Sequence, residues 1–404
     1  LDNRRQCLQQ EVPMNYRHML MSAMLTLLMV NVGCSKSEAN STDQAAAHSA
    51  VNHEAAPGAT TAPAAKKDCT ADDSCPAFTL AWSEYPSWPV FQVAHERGFL
   101  NGEEGKYGSL EKQYQVDVVL KSMGYEASMI AYGSGAVDAT CITNIDSLGK
   151  SLTVKSVAIM PTSTSDGGDA LVVSNDIKTI EDLKGISVYG LKGTVSSYAF
   201  WKKIDKAGLN RADFKFVNME PPAAALLMQQ KQKGVKAVMV WNPYINQTLK
   251  IRPDTHVLFS STSLKREIID MVVASQKSLD RPGGDRFAKC IIAAFYAVCK
   301  KLDDPSKRSQ VLIDIGKRFS SLNVPEMEKV LKLTVFYKDA DVAVKLFTDK
   351  TWHKTMNGVV DFWVNNKNIP HRPSVGYGSK TEAPKAQFRI DPSYMQAVQN
   401  ESVH

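Results

Sequence analysis

A loop of small polar residues precedes a predicted helix near the middle of the chain, at residues 193–197 (GTVSS). The first backbone N–H groups of a helix have no partner within it, and they point outward with the positive end of the helix dipole. Gly193 lets a ligand approach the backbone, and neighbouring hydroxyl groups add hydrogen-bond donors. The loop therefore predicts a site for a small anion, formed by Gly193, Thr194, Val195, Ser196 and Ser197. Ordinary capping of the helix by Thr194 or Ser196 is the alternative interpretation.

A second loop, at residues 82–88, combines three aromatic residues with a carboxylate. It follows the first predicted strand, and open α/β sheets bind their ligands at the carboxyl ends of strands. The rings are able to stack on an organic group or, together with Glu84, to enclose an ammonium group through cation–π and charge attraction. Packing beneath the loop is the alternative, which we expect for at least one ring. The candidate ligand contacts are Trp82, Ser83, Glu84, Tyr85 and Trp88.

Other polar residues near the ends of predicted strands complete the candidate site. They are Thr143, Asn144, Trp241, Asn242 and Asp270. Acidic residues outnumber basic ones at these strand ends. The acidic residues are Glu84, Asp146, Asp166, Asp169 and Asp270, and the basic residue is Lys192. Neutral donors and a helix dipole are able to hold a compact anion, but a zwitterion such as an aminosulfonate fits this mixture of charges better.

Composition argues against several other classes of protein. The chain has 404 residues and a formal net charge of +6, and its basic residues are spread out, whereas nucleic-acid-binding proteins usually cluster theirs. The eight histidines form no i, i+4 pair and there is no C-x-x-C motif, so we expect no metal site and no cofactor. The sequence has no G-x-S-x-G motif of a hydrolase, and we expect no catalytic residues.

The elements that position these loops alternate between short apolar strands and amphipathic helices from residue 78 onward. This alternation predicts an α/β fold with largely parallel sheets, in which a polar loop at residues 162–169 separates two strands. The order of strand, helix, glycine-bearing turn and strand occurs twice, which indicates two lobes with a cleft between them. The chain beyond residue 285 is predicted to be helical, with Trp352 and Trp363 in the core.

Four stretches of sequence resemble one known family. They are the strand, loop and helix at 82–98, the Gly-x-Val-Asp-Ala turn at 135–139, the Asp-Leu-Lys-Gly strand with its loop at 182–198, and Trp-Asn-Pro-Tyr at 241–244. In this order and spacing they resemble the periplasmic solute-binding proteins of ABC importers for nitrate, sulfonates and taurine, which are related to the thiamine-pyrimidine-binding proteins. The sequence departs from the family pattern at Lys236 and Asn242, where aspartate is common, and these departures bear on the ligand.

The resemblance implies a two-lobed periplasmic-binding-protein type II fold with two hinge crossings, near residues 172–175 and 270–274, and extra C-terminal helices. The expected units are lobe I (78–173 and 273–370), lobe II (174–272) and a loose C-terminal tail (371–404). The resemblance also implies a monomer without enzymatic activity that captures a small anionic or zwitterionic solute, sulfonate-, taurine- or nitrate-like, and delivers it to an ABC permease. The alternatives are a thiamine-pyrimidine-type binding protein or synthase relative, and a ligand-sensing lipoprotein.

The beginning of the chain predicts export. An uncharged run at residues 19–32 is too short to span a bilayer but fits the apolar core of a signal peptide, so residues 1–33 read as a leader that starts at Met14. The cysteine that follows, Cys34, resembles the lipidated cysteine of a bacterial lipobox, although Asn31 stands where leucine is usual. We therefore expect a periplasmic protein that a lipid on Cys34 anchors to the membrane.

A flexible tether is predicted for residues 34–77, which are rich in Ala, Ser, Thr, Asn and Pro and lack the large apolar residues that a core requires. Cys69 and Cys75 lie close together just before the first strand, and an exported chain permits a disulfide between them.

Overall fold

The computed structural model describes residues 75–401. The strands are β1 (Ala77–Trp82), β2 (Asp117–Ser122), β3 (Ala139–Thr143), β4 (Ser156–Ser165), β5 (Asp169–Ser174), β6 (Ser187–Gly190), β7 (Lys215–Asn218), β8 (Ala237–Trp241), β9 (Thr255–Ser260), β10 (Ile269–Ser275), β11 (Thr334–Phe336), β12 (Val375–Tyr377) and β13 (Phe388–Ile390). The helices are α1 (Val90–Glu96), α2 (Ser109–Tyr114), α3 (Tyr125–Gly133), α4 (Asn144–Ser151), α5 (Val195–Lys206), α6 (Pro221–Gln229), α7 (Tyr244–Ile251), α8 (Gln276–Leu279), α9 (Gly284–Leu302), α10 (Pro305–Arg318), α11 (Val324–Leu333), α12 (Ala340–Thr348), α13 (Lys350–Asn365) and α14 (Ser393–Glu401). These elements confirm the predicted α/β fold.

Two sheets carry the strands of residues 75–401. The first has eight strands, in the order β12-β13-β4-β10-β3-β1-β2 with β11 beside β4, and the second has five, in the order β7-β6-β8-β5-β9. The sheets are mixed rather than largely parallel, because β5 and β10 run antiparallel to their neighbours. This direction follows from the connections, since β5 and β10 are the first strands that the chain forms after it passes from one sheet to the other.

Antiparallel pairing fixes the neighbours of two aspartates. In the first sheet β10 pairs with β3, so Asp270 lies opposite Thr143. In the second sheet β5 pairs with β8, so Asp169 lies opposite Trp241. Each sheet therefore has one cross-strand pair that contains an aspartate. We call these two pairs the acidic cross-strand pairs, and both lie next to the places where the chain crosses between the sheets.

The chain crosses between the two sheets at residues 166–168 and again at residues 261–268. The predicted crossings near residues 172–175 and 270–274 were therefore wrong, because β5 and β10 each lie within a single sheet. The two crossings are joined by Ser261, whose Oγ accepts a hydrogen bond from the Gly167 N–H at 2.7 Å and lies 2.8 Å from the Ser165 Oγ.

The segment after residue 370 is ordered and packed, which corrects the prediction of a loose tail. Strand β13 pairs in parallel with β4 and carries β12 on its other edge. Phe388, Ile390 and Met395 are fully buried, and Arg389 forms a buried ion pair with Asp391. Two three-residue strands are too short to show the alternating pattern by which a strand is recognised in a sequence.

The remaining described features concern cysteines, helices and the core. Cys75 is disulfide-bonded, whereas Cys141, Cys290 and Cys299 are free and buried. Cys69, like Cys34, the leader and the tether up to residue 74, lies outside the described residues, so its pairing with Cys75 stays a prediction. Within residues 75–401 the helices are all too short or too polar to cross a membrane. Trp352 and Trp363 are buried, as predicted.

Candidate functional site

A small cavity, which we call the chamber, is bounded by residues from both sheets. Its volume is about 10 Å³. It is lined by Tyr85, Trp88, Tyr125, Thr143, Asp169, Val195, Trp241 and Asp270. The two acidic cross-strand pairs, Asp270 with Thr143 and Asp169 with Trp241, form opposite parts of its wall.

Three buried aspartates lie at or beside the chamber, and each has one oxygen with a partner and one without. The Ser163 hydroxyl donates to Asp270 Oδ2 at 2.5 Å, and the Ser165 hydroxyl donates to Asp169 Oδ2 at 2.6 Å. Asp146 lies behind Tyr125, whose hydroxyl donates to its Oδ2 at 2.6 Å. The Oδ1 atoms of Asp146, Asp169 and Asp270 are buried and have no hydrogen-bond partner within residues 75–401. Such atoms are costly unless another group satisfies them.

Burial raises the pKa values of these carboxyl groups, because ionised groups lose solvation inside a protein. The pKa of Asp169 is raised to about 6 and that of Asp146 to about 7. The pKa of Asp270 lies well above its ordinary value, mainly through burial and further through repulsion by Asp169 and Asp146. No lysine or arginine is among the residues that line the chamber. The chamber therefore combines negative charge with low polarity and no basic partner.

The raised pKa values predict how the stability of the ligand-free protein depends on pH. The pKa of an unfolded aspartate is about 3.9, so these groups bind protons more tightly in the folded protein. Their contribution to the free energy of unfolding is full below about pH 4 and is lost as the pH rises through the folded values. We expect the melting temperature to fall by several degrees between about pH 5.5 and pH 8. A protein carrying both Asp146→Asn and Asp169→Asn should show a flatter profile in scanning fluorimetry, and equal slopes would contradict this origin.

Aromatic rings form most of the remaining wall. Trp88 stacks on Tyr125 with their ring centroids 5.5 Å apart, and Tyr85 packs against Trp88 at 5.0 Å. The edge of Tyr125 meets Trp241 from the second sheet at 5.5 Å. The Tyr85 Oη and Trp88 Nε1 atoms are buried without a partner in the described residues. The chamber thus presents ring faces together with a few polar atoms that are free to contact a ligand.

Local sequence explains how the loop at residues 82–88 positions two of its aromatic rings. The Trp88 N–H donates to the Tyr85 carbonyl at 3.0 Å, which closes a turn within the loop. Pro89 then occupies the N-cap of α1, which begins at Val90. The turn and the helix start hold Tyr85 and Trp88 on the same side of the loop, towards the chamber.

The hydroxyl groups of Thr194 and Ser197 in the loop before α5 bond within the loop, and the anion site predicted for this loop stays a prediction. The Thr194 hydroxyl donates to the Leu191 carbonyl, and the Ser197 hydroxyl donates to the Thr194 carbonyl while it accepts from the Gly193 N–H. Thr194 is the N-cap residue but makes no side-chain capping bond, so the capping interpretation fails for it. The backbone N–H of Val195 lowers the pKa of Asp146, which partly offsets the effect of burial. The negative group nearest this helix start is thus the protein's own carboxylate.

The other predicted residues have different surroundings. Trp82, Ser83 and Glu84 line a groove of about 320 Å³ that adjoins the chamber, since Tyr125 and Trp241 line both. In this groove Glu84 accepts hydrogen bonds from Tyr244 at 3.0 Å and from Ser320. Asn144 has a structural role, because its amide donates to the Glu267 carbonyl and accepts from the Ile269 N–H, both at 2.9 Å. Ser196 Oγ and both side-chain polar atoms of Asn242 are buried and unpartnered within the described residues, but neither residue lines the chamber.

The chamber therefore gathers six of the residues predicted from sequence and two that were not assigned to the site, Asp169 and Tyr125, with Asp146 behind its wall. The six are Tyr85, Trp88, Thr143, Val195, Trp241 and Asp270. Asp146 and Asp169 were recognised only as acidic residues near strand ends, and Tyr125 was missed. The signal for Tyr125 is its position at the start of α3, three residues after the end of β2, where ligand-binding residues of α/β sheets are expected.

A second, wider groove of about 540 Å³ lies on the far side of Asp146. Its lining includes Asp146 itself, Glu126, Lys150, Lys192, Gly193 and Thr194. Asp146 therefore separates this open groove from the chamber, since its carboxylate also bonds to Tyr125 in the chamber wall. Two of the predicted ligand contacts, Gly193 and Thr194, face this groove.

Comparisons with known proteins show the fold of the chain. No family profile matches the sequence, and no curated protein matches it. Among solved structures, the chain is similar to the periplasmic aliphatic sulphonate binding protein SsuA from Escherichia coli, with a TM-score of 0.57 and 19% identity over 74% of this chain and 90% of that one.

Two further structures are similar to the chain. The alkanesulfonate-binding protein SsuA from Xanthomonas axonopodis pv. citri, bound to MOPS, has a TM-score of 0.59 and 14% identity over 78% of this chain and 99% of that one. The periplasmic nitrate-binding protein NrtA from Synechocystis PCC 6803 has a TM-score of 0.59 and 12% identity over 81% of this chain and 89% of that one. The chain thus has the fold of periplasmic solute-binding proteins, as the sequence resemblance implied.

Proposed function

We propose that the protein is the extracytoplasmic solute-binding component of an ABC importer. The observation that carries this proposal is the chamber, a small cavity with buried, unpartnered polar atoms that is lined by residues of two sheets, which two chain crossings connect. A protein that only needed to be stable would satisfy or remove those atoms, because each lowers the free energy of unfolding. The fold shared with sulfonate- and nitrate-binding proteins of other organisms supports the same function.

Closure around the solute is the proposed working step. Asp270 and Thr143 belong to the first sheet, whereas Asp169 and Trp241 belong to the second. We propose that the two sheets, each with its own helices, move as two lobes about the crossings at 166–168 and 261–268. A solute shifts this equilibrium towards the closed form, because only that form lets residues of both lobes contact it at once. The permease would then recognise the closed form.

The described residues favour binding over catalysis. Cys141, Cys290 and Cys299 are buried, and burial raises the pKa of each thiol, so these cysteines lack the thiolate that a nucleophile requires. Within residues 75–401 no group of three or more His, Cys, Asp or Glu side chains is arranged to hold a metal ion. Export and a lipid anchor on Cys34 are part of the proposal, and they rest on the sequence alone, because Cys34 lies outside the described residues.

The proposal predicts that one class of small solute stabilises the purified protein. A thermal-shift library should contain taurine, alkanesulfonates, nitrate, bicarbonate, pyrimidines, amines and amidinium ions, since sulfonate-, taurine- and nitrate-like solutes follow from the resemblance. A solute at 100 times its Kd adds about 2.7 kcal/mol to the free energy of unfolding, which shifts the melting temperature measurably. No shift with any member would contradict the proposal.

Intrinsic fluorescence provides the matched control for that experiment. Trp241 lines the chamber, whereas Trp201 lies on α5 beside Arg211 and away from it. The stabilising solute should change the tryptophan emission of the unaltered protein and of Trp201→Phe. It should bind Trp241→Phe more weakly, so the emission change of that variant, which Trp88 in the chamber wall still reports, should need a higher concentration of solute. Equal responses of the two variants would place the solute elsewhere.

A further inference from the structure

We infer that the chamber binds a small cation that carries several N–H donors, such as a protonated amine or a guanidinium-type ion, rather than an anion. The inference rests on the proposed solute-binding function and names the class of solute. It departs from the expectation of an anionic or zwitterionic solute, and it follows from the charges, the unpartnered atoms, the ring faces and the volume of the chamber.

The charges are of one sign. Asp169 and Asp270 line the chamber, Asp146 lies directly behind Tyr125 and Thr143, and no basic side chain lines the wall. An ionised group inside a protein is tolerated when it is paired and hydrogen-bonded. A cation would pair with these carboxylates, whereas a nitrate or sulfonate group would add negative charge beside them.

Two of the four unpartnered side-chain atoms in the wall, the Oδ1 atoms of Asp169 and Asp270, are acceptors, whereas Tyr85 Oη is able to donate or accept and Trp88 Nε1 is a donor. Asp169 and Asp270 each use one oxygen to accept from a serine and leave Oδ1 buried without a donor. Ionised carboxylates only accept hydrogen bonds, so the ligand has to supply the N–H or O–H groups. Charge-assisted hydrogen bonds of this kind are shorter and stronger than neutral ones. The Asp169 and Asp270 oxygens come from different sheets, so one cation with several N–H groups would contact both sheets.

The ring faces suit the same ligand. Trp88 and Tyr125 are stacked with an angle of 21° between their planes, and Trp241 meets the edge of Tyr125. A cation over the face of an aromatic ring is attracted by the ring quadrupole, more strongly where water is excluded. All four aromatic residues of the chamber are at least nine-tenths buried. The wall therefore attracts positive charge even where it carries no formal charge.

The volume limits the size of the cation. The chamber measures about 10 Å³, close to the smallest cavity that holds a water molecule. A solute larger than a water molecule therefore requires the lobes to move apart, and this requirement favours a cation of a few non-hydrogen atoms over one with a long alkyl tail or an additional ring. The wide groove beyond Asp146 carries Lys150 and Lys192, so an anionic tail would have to pass the Asp146 carboxylate to reach them.

Matched pairs of solutes test the inference with the full protein. Guanidinium chloride and urea have similar shape, but only guanidinium is charged. Methylammonium and tetramethylammonium chloride are both cations, but only methylammonium has N–H donors. We expect guanidinium or methylammonium to raise the melting temperature at millimolar concentration. Urea lacks the charge and tetramethylammonium lacks the N–H donors that would pair with the buried carboxylates. Each should therefore bind at least about 50-fold more weakly than its partner. Sodium chloride at equal concentration controls for ionic strength.

A pair of variants locates the effect in the chamber. Asp169→Asn should weaken binding of the cation by at least about 30-fold, because it removes one buried charge partner. Asp285→Asn is the control, since Asp285 is exposed on α9 and belongs neither to the chamber wall nor to the crossings. It should bind the cation as tightly as the unaltered protein.

The possible results separate this inference from the proposed function. Stabilisation by nitrate, an alkanesulfonate or taurine, without stabilisation by the cations, would overturn the cation inference and leave solute binding intact. Equal binding of guanidinium and urea, or equal loss in the two aspartate variants, would also overturn it. No stabilisation by any solute would count against both.

Discussion

The Asp270→Asn protein is expected to bind the cation at least about 100-fold more weakly than the unaltered protein, and yet to unfold at a higher temperature without ligand. The carboxylate is fully buried, and its pKa lies well above the ordinary value because burial disfavours the ionised form. Asparagine has the same shape and can still accept the hydrogen bond from Ser163. The substitution therefore removes the cost of a buried charge together with the charge that the ligand pairs with.

Glu111→Gln is the matched control, and we expect it to lose stability without losing affinity for the cation. Glu111 is also fully buried, but its carboxylate accepts hydrogen bonds from the backbone N–H groups of Asn101, Gly108 and Val118 at 2.6 to 2.7 Å. A glutamine amide would turn donors towards these N–H groups and cost about 1–3 kcal/mol. This variant should melt at a lower temperature and bind the cation normally.

Calorimetric titration at pH 8 measures the affinity of each variant for the cation, and thermal unfolding at the same pH measures its melting temperature. The prediction requires that Asp270→Asn loses affinity and gains stability, whereas Glu111→Gln loses stability and keeps its affinity. A loss of stability in Asp270→Asn with unchanged affinity would show that Asp270 supports the fold and does not contact the solute.

Much of the framework that holds these residues was predictable from sequence. The alternation of apolar strands and amphipathic helices predicted from residue 78 onward is present, and it includes β1, α5 and β8, which ends at Trp241. Each has a strong local signal, either an apolar run or a helical period that a glycine ends. Tyr85, Trp88 and Trp241 were placed near a ligand for the same reason, because they follow strands at the edge where α/β sheets bind ligands.

The carboxylate side of the chamber was less predictable. Residues 162–169 were expected to form a polar loop, but β4 continues to Ser165 and β5 begins at Asp169. Thr162, Ser163 and Ser165 are buried, and their hydroxyl groups bond to Ser87, to Asp270, and to Asp169 and Ser261, respectively. Polar residues inside a strand look like a loop in sequence, since their partners come from Asp270 and Ser261, about 100 residues further along the chain.

The charge of the ligand was also hard to predict from sequence, because it depends on residues that are distant in the chain and close in the fold. The helix start at residues 193–197 has the composition of an anion site, and the sequence gives no sign that Asp146 would lie beside it. Across the fold, the Val195 N–H acts on Asp146, whose own helix begins after Thr143. A helix dipole that a carboxylate of the same chain already uses leaves less attraction for an anionic ligand.

The chamber and the crossings share hydrogen bonds, so the solute and the hinge should be coupled. The Ser165 hydroxyl donates to Asp169 in the chamber wall, and its oxygen lies 2.8 Å from Ser261 in the second crossing. The Asp166 N–H donates to the Leu333 carbonyl, which brings the end of α11 against the first crossing. A change that moves the first crossing should therefore move Asp169 as well.

Gly168→Ala is the substitution expected to disturb this coupling most. A Cβ at this position would lie 2.8 Å from the Thr334 Oγ1, 3.1 Å from the Ser165 Oγ and 3.2 Å from the Leu333 carbonyl oxygen. Such crowding costs about 1–3 kcal/mol and displaces the residue that precedes Asp169. We expect at least about tenfold weaker binding of the cation, equivalent to about 1.4 kcal/mol, and a lower melting temperature.

Two further variants show whether crowding is the cause. Thr334→Ala removes the nearest atom, which is buried and has no hydrogen-bond partner in the described residues, so the double variant with Gly168→Ala should recover part of the affinity and stability. Gly358→Ala is the control, because a Cβ there meets open space on helix α13 and alanine stabilises a helix by about 0.5–1 kcal/mol relative to glycine. Titration and melting of all four proteins measure these effects. Normal binding by Gly168→Ala would mean that the crossing moves independently of Asp169.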